Sequence, residues 1–311
     1  MAGTAIAFLK SYPLSNFPAP EAIITVKETD TIASALKTLS ANDILCAPVL
    51  SDDGSCVGLI DMSAILRTIL HPLANVKDKR TVLEDLVALD AIVQKPIKSQ
   101  PSLYLQEDME LVSHKGSLLD ACKLLGTMNV HRVIVVDDDN NIVNLITQSA
   151  VVRVLADNLP KLQPVINKSL REIRLATPST IVSCPATCTT IDAFEHMSKH
   201  EVSAMPVLDD ENRILGNVSV RSLRDLISNP ASYRTLKRPV TEFLTTVVPD
   251  TMRDEMVPAI TCKTSTTMDI VVQRMSISRI HRIYVEDEQG NLLRIVSLSD
   301  VLAALVTPDA S

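Results

Sequence analysis

At 311 residues, 46% of them apolar and with a formal net charge of −7, the chain has hydrophobic mass for about two domains of ordinary size and no basic excess. A diffuse acidic balance argues against a nucleic-acid-binding surface, which needs a basic patch, and no apolar run approaches the ~20 residues that cross a bilayer. Lys10 falls after rather than before the short N-terminal apolar stretch, so that stretch does not read as a secretory leader. The six cysteines (Cys46, Cys56, Cys122, Cys184, Cys188, Cys262) are expected to be free thiols in a reducing cytoplasm or nucleus.

Taken in chain order, four segments share one plan: a short apolar strand, an amphipathic helix, two strands joined by an acidic turn, and a second helix. The first copy (8–70) has the strand AIITV, a helix over Ala33 to Ser40, and the strands CAPVL and CVGLI around the turn Ser51-Asp52-Asp53-Gly54. A connection over 71–106 follows, with a helix predicted at Thr81 to Val93. The second copy (107–158) has LVSH, a helix carrying Leu119, Cys122, Leu125 and Met128, then HRVIVV and IVNLI around Asp137 to Asn141. A linker with two prolines (159–176) leads to the third copy (177–229), with TIVSC, SAMPVL and ILGNVSV around Asp209 to Asn212. After a further connection (230–257), the fourth copy (258–307) has AITC, HRIYV and LLRIVSL around Glu286 to Gly290. Polar turn residues between β-branched runs predict hairpins, and apolar spacing at three- and four-residue steps predicts helices covering a sheet. The fold class is therefore α/β, built from four β-α-β-β-α units. One unit buries too little surface to stand alone, so copies one and two are expected to pair, as are copies three and four.

This pattern resembles tandem cystathionine-β-synthase (CBS) repeats over nearly the whole chain. The specific similarity is to the gamma subunits of the AMP-activated, or sucrose-non-fermenting-type, protein kinase family. It is carried by IHRIYV and IVSLSDVLAALV in repeat four, by Tyr104 to Gln106 before repeat two, and by Lys168 to Glu172 and VSAMPV around repeat three. LITQSAVV, GNVSVR and the downstream NPASYR look closest to the plant-type branch. The resemblance implies four repeats paired into two Bateman modules, forming a flat pseudo-symmetric disc. It also implies adenine nucleotide (AMP, ADP or ATP) as a regulatory ligand, and a kinase catalytic (alpha) subunit and a beta subunit as partners. Self-association through the modules is left open.

An adenylate needs an apolar slot for the base, a carboxylate for the ribose hydroxyls, and cations or hydroxyls for the phosphate. The family places its ribose-binding Asp at the start of the second helix. Only repeat four keeps it, as Asp300 after Ser297 and Ser299; the matching positions are Ala64, Ala150 and Ser222. Asp61 and Asp225 lie about one helical turn away and are poor substitutes. By the same resemblance Thr177 works with Asp300, and Val182, Val202 and Ser203 fall at adenine- and phosphate-facing positions. A low aromatic content does not count against this, because Val, Ile and Ala walls can bury the base. Asp300 also has a plainer reading as a helix cap, and the two roles can coexist. His131-Arg132 and His281-Arg282 recur at one point of the unit and are assigned to the phosphate. Leu45 and Ser149 stand where the family has an arginine and a lysine, so the phosphate cavity is expected to be less basic than in animal-type proteins.

No GxxxxGK[ST] or GxGxxG loop and no nucleophile elbow occurs, so no catalytic role is read from the sequence. His196 and His200 are four apart on a predicted helix but lack an identifiable third metal ligand. Cys184-Pro-Ala-Thr-Cys188 is not a zinc pair. The expectation is a non-catalytic nucleotide-binding subunit without a metal. Two rivals stay open: a stand-alone CBS-repeat protein regulating another target, and a scaffold whose degenerate clefts bind no nucleotide.

Overall fold

Each copy folds into a three-stranded sheet whose lead strand pairs in parallel with the middle strand, which pairs antiparallel with the last. Repeat one contributes β1 (Val26–Lys27), β2 (Cys46–Leu50) and β3 (Cys56–Asp61). Repeat two contributes β4 (Leu111–Ser113), β5 (Arg132–Val136) and β6 (Ile142–Thr147). Repeat three contributes β7 (Cys184–Pro185), β8 (Ala204–Leu208) and β9 (Ile214–Ser219). Repeat four contributes β10 (Thr261–Lys263), β11 (Arg282–Glu286) and β12 (Leu292–Ser297). The structure, a computed structural model, describes residues 4–20, 22–74, 90–104, 110–128, 130–222, 236–246 and 259–307. Residues 81–89 of the helix predicted at Thr81 to Val93, Gln106, Asp225 and the NPASYR segment lie outside them.

The four copies agree residue by residue. Every hairpin carries the same register shift, at Val49/Leu50, Val135/Val136, Val207/Leu208 and Val285/Glu286. Every hairpin turn uses a residue with positive φ at one position, Gly54, Asn140, Asn212 or Gly290, as glycine and asparagine tolerate best. The acidic side chains of the turns close them. Asp137, Asp209 and Asp287 each accept two backbone N–H bonds through Oδ1. In repeat one the equivalent closure comes from Asp53. Hydrogen bonds first from Ser51 and then from Ser55 lower its carboxyl pKa from the usual 3.8 to about 2. A carboxyl depressed on folding contributes stability that is present above its unfolded pKa and is lost as pH falls through the folded one. The melting temperature is therefore expected to fall between about pH 4 and pH 2, and less steeply in Asp53→Asn, as thermal melts across that range would show.

Helices start where a side chain can satisfy their free N–H groups. Thr31, Ser117 and Thr189 cap the first helices of repeats one to three (Ile32–Ala41, Leu118–Thr127, Thr190–Lys199). Thr147 and Ser297 cap the second helices of repeats two and four (Gln148–Ala156 and Leu298–Val306). In repeat one the Asp61 carboxylate does the same, accepting from Ala64 N at 2.8 Å.

The chain gathers into two compact units, and each groups alternate rather than consecutive copies. One comprises Met1–Ile23, Asp108–Ile181 and Ala259–Ser311, holding repeats two and four; the other comprises Ile24–Glu107 and Val182–Pro258, holding repeats one and three. In the first, helix Leu118–Thr127 lies against Leu298–Val306, and the first helix of repeat four (Met268–Ile277) lies against Gln148–Ala156. Gly126 permits the first contact, since a Cβ there would sit 2.7 Å from the backbone nitrogen of Ala303. Leu125, Val151, Val271 and Leu302 are fully buried in the resulting core. In the other unit, helix Met62–Ala74 of repeat one packs on Thr190–Lys199 of repeat three. There the buried rings of Phe194 and Phe243 meet edge to face at 6.0 Å.

This grouping is set by helix packing, while consecutive copies are linked by the entry segments that cross a neighbour's sheet. The apolar helix faces are what pack together within each unit, and sequence periodicity shows that a face is buried without showing against what. Residues 8–23, read as part of repeat one, belong to the unit of repeats two and four, where helix Thr4–Ser11 packs against Leu118–Thr127.

The segments entering a repeat cross the sheet of its neighbour in sequence. Pro18 O, ahead of repeat one, accepts from Asn144 Nδ2 in β6 of repeat two at 3.2 Å. Tyr104 O, ahead of repeat two, accepts from Leu59 N in β3 of repeat one at 3.0 Å. Ser179 N, in the entry to repeat three, donates to Leu293 O in β12 of repeat four at 3.2 Å.

Candidate nucleotide site

The hairpin register fixes which residues are equivalent at the start of each second helix. Cys46 faces Asp61, Arg132 faces Thr147, Ala204 faces Ser219 and Arg282 faces Ser297. Three residues on, the matching positions are Ala64, Ala150, Ser222 and Asp300, the alignment read from sequence. The residue before each middle strand is tied to this point. Backbone oxygens of Leu45, His131, Ser203 and His281 accept from the first N–H that follows the last strand, on Met62, Gln148, Val220 and Leu298, at 2.9–3.4 Å. A side chain at either position therefore stands beside the N-terminal end of the element that follows the last strand.

In repeat four this brings His281, Arg282, Ser297, Ser299 and Asp300 together, all half-buried. Asp300 is the N3 residue of a capping box. Its Oδ2 accepts from Ser297 N at 2.8 Å and from Ser297 Oγ at 2.5 Å, while Ser297 Oγ accepts from Asp300 N at 3.2 Å. Ser297 Oγ and Ser299 Oγ are 2.8 Å apart. The other carboxylate oxygen, Oδ1, is met by Arg294 Nη2 at 3.2 Å. Thr177 reaches the same repeat through its chain: its hydroxyl donates to Arg174 O at 3.2 Å, and two residues later Ser179 binds Leu293. The cap reading of Asp300 is thus correct, and it leaves Oδ1 as the face of the carboxylate turned to a second partner.

Repeat two places His131 and Arg132 in the same compact unit, with Thr147 and Ser149 joined at 3.1 Å where repeat four has its two serines. It has alanine in place of the carboxylate, so it can offer cations and hydroxyls but no carboxylate acceptor for a ribose. Val182, Val202 and Ser203 belong to the other compact unit, the first two packed at the edge of its core. The residues of repeat four, with Thr177, His131 and Arg132, fall within one unit.

Arg294 is the site residue that sequence reasoning missed. Its equivalents in the other repeats are Gly58, Asn144 and Gly216. A long cation among two glycines and an asparagine was the available signal. The rings of His196 and His200 meet edge to face with centroids 4.4 Å apart, and among the described residues no group of three His, Cys, Asp or Glu is gathered to hold a metal. Among the described residues no helix is long and apolar enough to cross a membrane.

Comparison with known families decides the lineage of this architecture. The CBS domain model matches residues 17–71, 104–157, 171–229 and 248–307. The chain belongs to the CBS domain family. Among curated relatives of this CBS protein, the 5′-AMP-activated protein kinase subunit gamma of Dictyostelium discoideum is 24% identical over 310 residues, covering 97% of the chain and 52% of that protein. The SNF1-related protein kinase regulatory subunit gamma-1 of Arabidopsis thaliana is 24% identical, covering 96% of the chain and 83% of that protein. The chain thus spans about half the length of the first and most of the second. Among solved structures, a Methanocaldococcus jannaschii protein described as a candidate archaeal homologue of γ-AMPK shares the fold. Its TM-score is 0.70 at 22% identity, covering 93% of this chain and 98% of that one. Both curated relatives are named gamma subunits of a protein kinase.

Proposed function

We propose that this CBS protein is a non-catalytic, gamma-type regulatory subunit of an energy-sensing Ser/Thr protein kinase complex, binding adenine nucleotide at the start of the second helix of repeat four. The observation that carries the reading is the assembly of Asp300, Ser297, Ser299, His281 and Arg282 at one helix N-terminus in a chain whose relatives are gamma subunits. A carboxylate there accepts hydrogen bonds from ribose hydroxyls. The helix N-terminus, the serine hydroxyls and the neighbouring cations favour the phosphate. Bound nucleotide alters a kinase only by having different affinities for two states of the complex. The kinase catalytic subunit and a beta subunit are therefore the partners through which occupancy would be read.

Affinity capture of the tagged chain from its native organism tests the assignment. Recovery of a Ser/Thr kinase catalytic chain with a beta subunit is expected, and repeated capture without either contradicts it. A second reading, a scaffold without exchangeable nucleotide, draws on the missing carboxylates at Ala64, Ala150 and Ser222.

A further inference from the structure

In repeats one and two the position two residues into the last strand has one job: it meets the entry segment of the neighbouring repeat. At Gly58 the Tyr104 carbonyl oxygen lies where a Cβ would be, only 2.0 Å from it. At Asn144 the side-chain amide binds Pro18 O. Repeat four puts Arg294 there. The entry segment of repeat three, which crosses this sheet, instead bonds one residue earlier, at Leu293, and the guanidinium turns to Asp300. Both oxygens of that carboxylate are then engaged from within the chain: Oδ2 by the helix cap and Oδ1 by Arg294. The ion pair is only partly exposed, with side-chain exposures of 24% for Arg294 and 28% for Asp300, so water screens it incompletely. It is also imperfect, because Arg294 Nε is buried without a hydrogen-bond acceptor among the described residues. An unsatisfied buried donor raises the energy of the paired state, which makes the pair displaceable rather than permanent.

We propose that Arg294 is an internal competitor for Asp300, a built-in counter-ion that a ligand's vicinal hydroxyls must displace to bind. The proposal rests on the reading of Asp300 as the ribose-binding carboxylate. Arg294 then sets the affinity of the repeat-four site downward, and does so only for ligands that use the carboxylate through a diol. It acts through Asp300 and is a positioning residue.

The test is calorimetric titration of the full chain, freed of co-purified nucleotide, with AMP and with 2′,3′-dideoxy-AMP. The variants are Arg294→Gly, which restores the residue of repeats one and three, Arg294→Asn, which copies repeat two, and Asp300→Ala. AMP is expected to bind about fivefold or more tightly to both Arg294 variants than to the parent, the effect of losing a partly screened pair worth roughly 1 kcal/mol. Dideoxy-AMP is expected to show no gain, whereas a general loosening of the fold would move both ligands. The Asn variant and thermal melts guard against misfolding of the Gly variant. Unchanged or weaker AMP binding in both folded Arg294 variants, with binding still weakened in Asp300→Ala, overturns the role of Arg294 and leaves the Asp300 reading standing. Absence of AMP binding in the parent and in every variant overturns the Asp300 reading, and the competitor with it.

Discussion

Replacing Gly58 by alanine is expected to destabilise the chain by about 2–4 kcal/mol, a large effect for one methyl group. The new Cβ would lie 2.0 Å from Tyr104 O and 2.8 Å from its carbonyl carbon, both backbone atoms that cannot swing away as a flexible side chain would. Relief requires the entry segment of repeat two to lift off β3. That movement breaks the bond from Leu59 N to Tyr104 O and disturbs the burial of Leu103 and Tyr104 in the core of repeats one and three. Overpacking of a close contact costs about 1–3 kcal/mol and a lost hydrogen bond about 1 kcal/mol more. The matched control is Asn144→Ala at the equivalent position of repeat two. It removes the amide bond to Pro18 O and the local bond that Oδ1 accepts from Leu145 N, without any steric clash, and is expected to cost about 1–2 kcal/mol. Urea unfolding of both variants, read as a shift in midpoint at constant slope, measures the difference. Equal midpoints for the two would show that the entry segments do not depend on this contact.

Truncating Asp300 is the other change of large effect, and it acts on two properties at once. The capping box dissolves, because Oδ2 no longer receives Ser297 N and Oγ, and Arg294 loses its counter-ion. Loss of the cap lowers stability by about 0.5–2 kcal/mol. Loss of hydrogen bonds to a charged acceptor weakens nucleotide binding by about 1.5–3 kcal/mol, roughly 10- to 100-fold. Two further variants separate these effects. Ser297→Ala removes the capping hydroxyl while the carboxylate stays, so it is expected to lose stability with a smaller fall in affinity. Asp300→Asn keeps an acceptor oxygen for the cap but drops the charge, so it is expected to lose affinity with a smaller fall in stability.

The four copies, their hairpins and the helix starts were legible in the sequence because local chemistry decides them. Polar turn residues, β-branched runs and Ser or Thr before an apolar period act within a few residues of chain. The equivalence of Ala64, Ala150, Ser222 and Asp300 was legible for the same reason, and the strand register confirms it. The choice of packing partner was not. Helices Leu118–Thr127 and Leu298–Val306 carry apolar faces that would suit several neighbours, and Gly126 against Ala303 selects the contact by backbone approach, which no hydrophobic period records. The membership of Val182, Val202 and Ser203 in a different unit from Asp300 follows from that long-range choice. Arg294 escaped notice because its role depends on the reach of one side chain across a strand end. A comparison of the four copies position by position, rather than motif by motif, would have exposed it.

The central claim, that the repeat-four site holds an adenylate through Asp300, is tested most directly by calorimetric titration of the full chain with AMP, ADP and ATP, beside the same titrations of Asp300→Ala. The chain is first stripped of co-purified nucleotide. Saturable binding to the parent, weakened about 10- to 100-fold in a variant that remains folded, is the predicted result. Equal affinity in parent and variant, or no binding to the stripped parent, would contradict it.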